Sequence, residues 1–196
     1  MYRIILCFLL FANTTFGFAK TEKAIFAGGC FWCMESDFDH LPGVISTTSG
    51  FDGDTLKNPT YEQVSAGNTN YAESVMVLFD TNKLTYNQLV DYFFKHIDPI
   101  TKNAQFCDRG RQYRSAIFYL DNEQKKIAVE YKKKLEQKFP TVYTEIVPST
   151  AFYPAEEYHQ NYYRKNPIRY KYYRYRCGRD ARVHEVWSDK KNSEIN

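Results

Sequence analysis

The sequence predicts a single α/β domain of two layers, and three observations carry that reading. Short apolar runs of strand length alternate with segments of helical period along most of the chain. No internal repeat, low-complexity linker or shift of composition divides it. The chain has 196 residues, 43% hydrophobic and 17% aromatic, enough to bury one core and too apolar for a disordered chain.

The elements follow in order. Met1-Tyr2-Arg3 gives a positive start, Ile4–Ala12 is apolar, and Gly17-Phe18-Ala19 has small residues at both ends. This is the pattern of a secretory signal cleaved after Ala19 and too short for a stable membrane span, so residues 20–196 are expected to form an exported, periplasmic domain. Lys23–Ala27 reads as a buried strand and Cys30–His40 as a helix ended by Leu41-Pro42-Gly43. Val44–Ser49 is a strand, Thr60–Ala66 a short helix behind Asn58-Pro59, and Val75–Phe79 a strand. Thr85 and Gln88 form a capping box for a helix over Thr85–Ile97, whose Leu89, Val90, Phe93 and Ile97 share a face. Arg114–Leu120 is a strand, Asp121–Lys138 a helix and Val142–Val147 a strand. Pro154–Arg164 reads as helical, and from Lys171 the chain is basic and tyrosine-rich.

Charge and cysteine usage narrow the function. Removing Arg3 with the leader takes the formal net charge from +3 to +2, which argues against nucleic acid despite the mixed Arg, Lys and Tyr of residues 164–182. Lys125, Lys126 and Lys132-Lys133-Lys134 read as a solvated helix face. Four cysteines remain: Cys30, Cys33, Cys107 and Cys177. An exported chain would pair them into two disulfides in one of three ways, but Cys30-x-x-Cys33 is also a redox spacing. One C-x2-C pair with two isolated partners does not match a zinc site, and Met34 stands where haem attachment needs histidine, so no metal is expected.

Gly28-Gly29-Cys30-Phe31-Trp32-Cys33 places Cys30 at a strand-to-helix junction. Unpaired N–H groups and the helix dipole there favour negative charge, so Cys30 is expected to ionise easily and act as a nucleophile. Phe31 and Trp32 would wall it with apolar surface suited to a small apolar group. Tyr61, Glu73, Asp108 and Tyr113 all fall at the ends of predicted elements, where they could join Cys30. Burial at the mouth of a strand would raise the pKa of Glu73 and make it an acid.

Gly29-Cys30-Phe31-Trp32, Asn58-Pro59-Thr60-Tyr61, Ala72-Glu73, Asp108-x-Gly110-x-Gln112-Tyr113-Arg114-Ser115 and Phe152-Tyr153-x-Ala155-Glu156-x-Tyr158-His159-Gln160 occur in this order. Together they resemble the A-type peptide methionine sulfoxide reductases, which act on the S epimer. The resemblance implies a two-layer α/β sandwich with a mixed sheet and a ferredoxin-like core, and no metal or organic cofactor; the chain is expected to be a monomer. It also implies a mechanism. Cys30 attacks the sulfoxide sulfur, Glu73 protonates its oxygen, Tyr61 and Tyr113 hydrogen-bond to it, Asp108 orients a polar group, and Phe31 and Trp32 hold the methyl group. A second thiol then condenses with the Cys30 sulfenic acid, and a thioredoxin-like dithiol reduces the disulfide. Cys33 replaces the glycine common after Phe-Trp and is the expected first resolver. Cys177 is the alternative, with Cys107 and Cys177 either paired or serving as a second relay. Tyr71 stands where the family often has histidine. The rival reading, a thioredoxin-type thiol–disulfide oxidoreductase, shares the C-x-x-C but has no need of the Glu73, Tyr61 and Tyr113 set.

Overall fold

The computed structural model describes residues 20–188; the expected leader lies outside them. β1 (Thr21–Gly28), β2 (Val44–Asp52), β3 (Ala72–Asp80) and β6 (Ser115–Tyr119) form the centre of a sheet in the order β6-β1-β3-β2. α1 (Phe31–Asp39) links β1 to β2, and α3 (Tyr86–Lys95) lies between β3 and β6, which gives the ferredoxin-like core. β7 (Glu145–Pro148) extends the sheet beyond β6 and β8 (Tyr153–Pro154) beyond β2. All pairings are antiparallel except β6 with β7, so the sheet is mixed. The long crossover that a parallel pair requires is supplied here by α4 (Asn122–Leu135).

The strands carry their largest side chains toward the helices. Phe26 of β1 stacks on Phe38 of α1 and Phe93 of α3, with ring centroids 5.1 and 5.0 Å away. Burying each such ring contributes roughly 1.5–3 kcal/mol, which makes this layer the main source of stability. The opposite face of the sheet carries a smaller cluster, Ile25, Ala27, Ala116 and Phe118, covered by Phe152. α3 begins with the expected capping box: Gln88 N–H donates to Thr85 Oγ1 and Thr85 N–H to Gln88 Oε1.

Two segments depart from expectation. The predicted helix over Pro154–Arg164 is broken into β8, a 3-10 turn at Glu157–His159 and the short α5 (Tyr162–Lys165). The Gln160 side chain bonds the backbone of Ser49 and Ala155, and Asn161 turns left-handed (φ 53°), so the helix cannot run through. The basic tail is α6 (Pro167–Cys177) followed by α7 (Arg179–Trp187). Proline at the first position opens α6, and Gly178 closes it at φ 68°, a conformation that favours glycine.

Three of the tail's arginines are structural. Arg174 pairs with Asp37 and Asp180, and Arg182 with Asp98. Arg179, 2% exposed, donates to the carbonyls of Gly28 and His96, pairs with Asp37 at 3.4 Å and lies 4.5 Å over the Phe106 ring. It thereby fastens α7 to the end of β1 and the start of the α1 turn. Breaking a buried pair on one side leaves the partner charge uncompensated. Arg179→Ala should therefore lower the unfolding free energy by about 3–5 kcal/mol. Urea unfolding checks this; a midpoint equal to that of the unsubstituted protein would show that the tail is fastened elsewhere.

Candidate active site

A cavity of about 220 Å³ opens where β1 gives way to α1, and it is lined by Cys30, Phe31, Trp32, Tyr61, Glu73, Asp108, Tyr113 and Tyr173. Seven of these were singled out by sequence. Tyr173, from α6, was not.

Each side chain is placed by a different element. Cys30 caps the N-terminus of α1, and its carbonyl accepts the N–H groups of Cys33 and Met34. Glu73, on β3, accepts the Phe31 N–H at 3.0 Å, which aims its carboxyl at the same helix start. Tyr61 is the first residue of α2 (Tyr61–Ser65), held by the Thr60–Gln63 capping box and by a bond from its own N–H to Glu156. Tyr113 ends a 3-10 turn over Arg111–Tyr113, and Gln112 in that turn donates to the Ser65 carbonyl. This bond ties the Tyr113 turn to the Tyr61 helix. Gly110 precedes it at φ 128°, and a Cβ there would sit 2.3 Å from Gln112 Oε1, so only glycine admits the contact. Asp108 lies on β5 (Asp108–Arg109), paired with β4 (Ala104–Gln105) in a two-stranded ladder that the sequence did not reveal. Asp108 Oδ2 accepts the Tyr173 hydroxyl at 2.5 Å.

The aromatic wall is braced from behind. Trp32 stacks on Tyr162 at 3.7 Å and meets Tyr173 edge-on at 5.8 Å. Its indole N–H donates to His159 Nδ1 at 3.0 Å, while the His159 ring rests 4.9 Å from Phe31 and 4.3 Å from Tyr61. One imidazole thus positions three cavity residues. Burial holds its pKa down, which keeps Nδ1 free to accept. Sequence quoted His159 within a motif but gave it no role. Tyr71 is fully buried and donates to the Leu56 carbonyl at 2.5 Å; it belongs to the core and does not line the cavity.

Electrostatics correct one expectation. Cys30 is not an easily ionised thiol: burial raises its pKa well above the ordinary value, and Cys33, Glu73 and Asp108 add to the rise. The helix start does not offset this, because the Phe31 N–H is already taken by Glu73. The neighbouring thiol carries the charge more readily. The Cys33 pKa is lowered by a hydrogen bond from Cys30 and by the nearby Arg179 and Arg174. Glu73 is pushed up to about 8, chiefly by burial, so at neutral pH it is protonated, as expected of an acid. Burial also raises Asp108, Tyr61 and Tyr113, which keeps both phenols as donors.

The four cysteines of the described residues divide into two pairs. Cys107 and Cys177 form a disulfide, whereas Cys30 and Cys33 are free and buried.

The chain as a whole is similar to known proteins. The family pattern described as Peptide methionine sulfoxide reductase matches residues 22–191. The chain belongs to this family. Among its relatives, the peptide methionine sulfoxide reductase MsrA of Bacillus licheniformis is 44% identical over 179 residues, covering 89% of this chain and 98% of that protein. The MsrA/MsrB protein of Vibrio cholerae is 44% identical over 196 residues, but this chain spans only 52% of its length. Among solved structures, reduced Mxr1 from Saccharomyces cerevisiae superposes with a TM-score of 0.72 at 32% identity, covering 81% of this chain and 93% of that one. Peptide methionine sulfoxide reductases are oxidoreductases, and the α/β architecture and mixed sheet seen here agree with that assignment.

Proposed function

We propose that this chain reduces methionine-S-sulfoxide, free or in proteins, to methionine, with Cys30 as nucleophile, Glu73 as acid and Cys33 as first resolver. The observation that supports this most is the convergence of Cys30, Glu73, Tyr61 and Tyr113 on one cavity walled by Phe31 and Trp32. Cys30 and Glu73, both pushed up by burial, each hold one proton, while the Cys33 pKa is drawn down by the hydrogen bond from Cys30 and by Arg179 and Arg174. Those two protons are what the oxygen of a sulfoxide needs to leave as water.

The steps balance on that basis. The substrate methyl group enters against Phe31 and Trp32, and its oxygen meets Glu73, Tyr61 and Tyr113. Cys33 takes the proton of Cys30, and the Cys30 thiolate attacks the sulfur as Glu73 protonates the oxygen. The phenols stabilise charge on the oxygen as it grows. The hydroxyl passes to Cys30, methionine leaves, and Cys30 is a sulfenic acid. Cys33 then attacks the Cys30 sulfur, its proton departs with the hydroxyl as water, and a Cys30–Cys33 disulfide remains. Cys33 follows Cys30 by three residues at a helix start, so the two sulfurs face each other. Asp108, held by Tyr173, orients a polar group of the substrate or a water.

An external dithiol of the thioredoxin type restores the thiols, and the chain acts as a monomer. The leader pattern of residues 1–19 and a disulfide at Cys107–Cys177 both suit export to an oxidising compartment such as the periplasm. Among the described residues, no helix is long and apolar enough to cross a membrane.

The test is an assay of both sulfoxide epimers with dithiothreitol as reductant. The S epimer should be reduced and the R epimer should not, because the Phe31–Trp32 wall fixes the methyl group on one side of the oxygen donors. Equal rates on both epimers would overturn the role of that wall. Reduction of a disulfide substrate with neither sulfoxide consumed would point to the thioredoxin-type reading.

A further inference from the structure

α6 has two faces at its helical period. Tyr170, Tyr173, Arg174 and Cys177 turn inward: Tyr170 is buried against Cys33, Tyr173 lines the cavity, Arg174 pairs with Asp37 and Cys177 is joined to Cys107. On the opposite side Ile168, Tyr172 and Tyr175 recur at i, i+4 and i+7 and are 86%, 67% and 81% exposed. They are the three most exposed large hydrophobic side chains among the described residues. Single exposed apolar side chains are ordinary, whereas a contiguous row marks an interaction surface.

Positive charge follows the row. At 100° per residue, Arg169 and Arg176 flank it on one side and Lys171 on the other, and all three are exposed. Arg164, Lys165 and Arg174 nearby have acidic partners, but among the described residues these three have none. α6 contains four cations and no acid, a formal +4, whereas the whole chain carries +3. Everything outside this helix therefore sums to −1, and the cationic character of the protein is concentrated here.

We propose that this ridge of α6 docks the protein on a lipid surface bearing anionic headgroups, with Ile168, Tyr172 and Tyr175 in the interfacial layer and Arg169, Lys171 and Arg176 on the phosphates. A protruding row about 16 Å long suits a flat surface, whereas a peptide is held in a groove. Tyrosine sets its ring at the apolar boundary and its hydroxyl among headgroups, and Arg and Lys lay their stems along the same boundary. A second copy of this chain would set like charge against like. Each cation beside an anionic surface strengthens binding roughly fivefold, so three contribute on the order of 100-fold over neutral lipid. Tyr173 lines the cavity from the inward face of the same helix, so docking holds the cavity about one helix diameter, ~10 Å, from the headgroups. Oxidised proteins held at a membrane then lie within its reach. The docking itself does not depend on the reductase reading.

The test is co-sedimentation with vesicles of phosphatidylcholine, alone or with about one third phosphatidylglycerol. It uses residues 20–196, which hold every described element and lack the apolar run of the leader. Binding to the anionic vesicles should exceed binding to the neutral ones at least about 10-fold, and should fall toward the neutral level in about 1 M salt, where the screening length is about 3 Å. Arg169→Glu/Lys171→Glu/Arg176→Glu should abolish the preference, and Ile168→Ser/Tyr172→Ser/Tyr175→Ser should weaken binding at least about 10-fold. Both variants should reduce free methionine-S-sulfoxide with dithiothreitol at the unsubstituted rate. Equal binding of the unsubstituted protein to the two vesicle types would overturn the proposal whether or not the variants fold. Binding to soluble polyglutamate but to neither vesicle would also overturn it and assign the ridge to acidic polypeptides. So would a dimer lost in the serine variant with no vesicle binding, which would assign the ridge to a second copy. Failure of every sample to reduce the sulfoxide would overturn the reductase reading alone and leave the vesicle result standing.

Discussion

Cys30→Ser is expected to abolish reduction of methionine-S-sulfoxide, a loss on the order of 10⁶-fold, the scale seen when a covalent nucleophile is removed. A hydroxyl at neutral pH is a far weaker nucleophile than a thiolate, and nothing else in the cavity can replace it: Cys33 lies beneath the wall and does not line the cavity. Cys33→Ser should behave differently. With the Cys107–Cys177 bond intact, it should still release one equivalent of methionine, more slowly because Cys30 has lost its proton acceptor, and should then stall as a sulfenic acid. Quenched-flow measurement of methionine with mass analysis of the Cys30 peptide separates the two variants. Unchanged turnover in Cys30→Ser would mean that the nucleophile is elsewhere.

How far the sequence leads toward this site depends on how local each cause is. The strands around Phe26, Val75 and Ile117 and the capping box at Thr85 were legible because apolar period and cap chemistry are written within a few residues. The cavity residues Cys30, Glu73, Tyr61 and Tyr113 were legible from their motifs, and the fold gathers them from four different elements. Other features depend on contacts made far along the chain. His159 braces Trp32 across 127 positions, and Tyr173 reaches Asp108 across 65. No local pattern announces either one. The tail helices carry two local signals, Pro167 at a first turn and Gly178 at a cap, but no clear apolar period to mark their span. The ionisation of Cys30 departs from expectation for a related reason. The helix start is visible in sequence, whereas burial and the capture of the Phe31 N–H by Glu73 exist only once β3 packs beside α1.

Glu73→Gln should slow the chemical step by roughly 10²–10⁴-fold, the usual contribution of a general acid. The substitution keeps shape and polarity: an amide oxygen can still accept the Phe31 N–H, but no proton can be given to the sulfoxide oxygen. The pH dependence gives an independent readout. With its pKa raised to about 8, Glu73 is protonated and competent below that pH, and the single-turnover rate should fall tenfold per unit as pH rises beyond it. Glu73→Gln should lack this descending limb. The same shift has a consequence for stability whose sign is opposite to that of a paired carboxylate. The folded state holds the Glu73 proton more tightly than the unfolded chain, so this group's contribution is most favourable below the unfolded value near 4.5. It weakens as pH rises from there to about 8, and then levels off. Glu73→Gln should therefore lose less stability than the unsubstituted protein between pH 5 and pH 9, even as it loses activity throughout. A variant that turns over at full rate, or one that keeps the descending limb near pH 8, would show that another group supplies the proton.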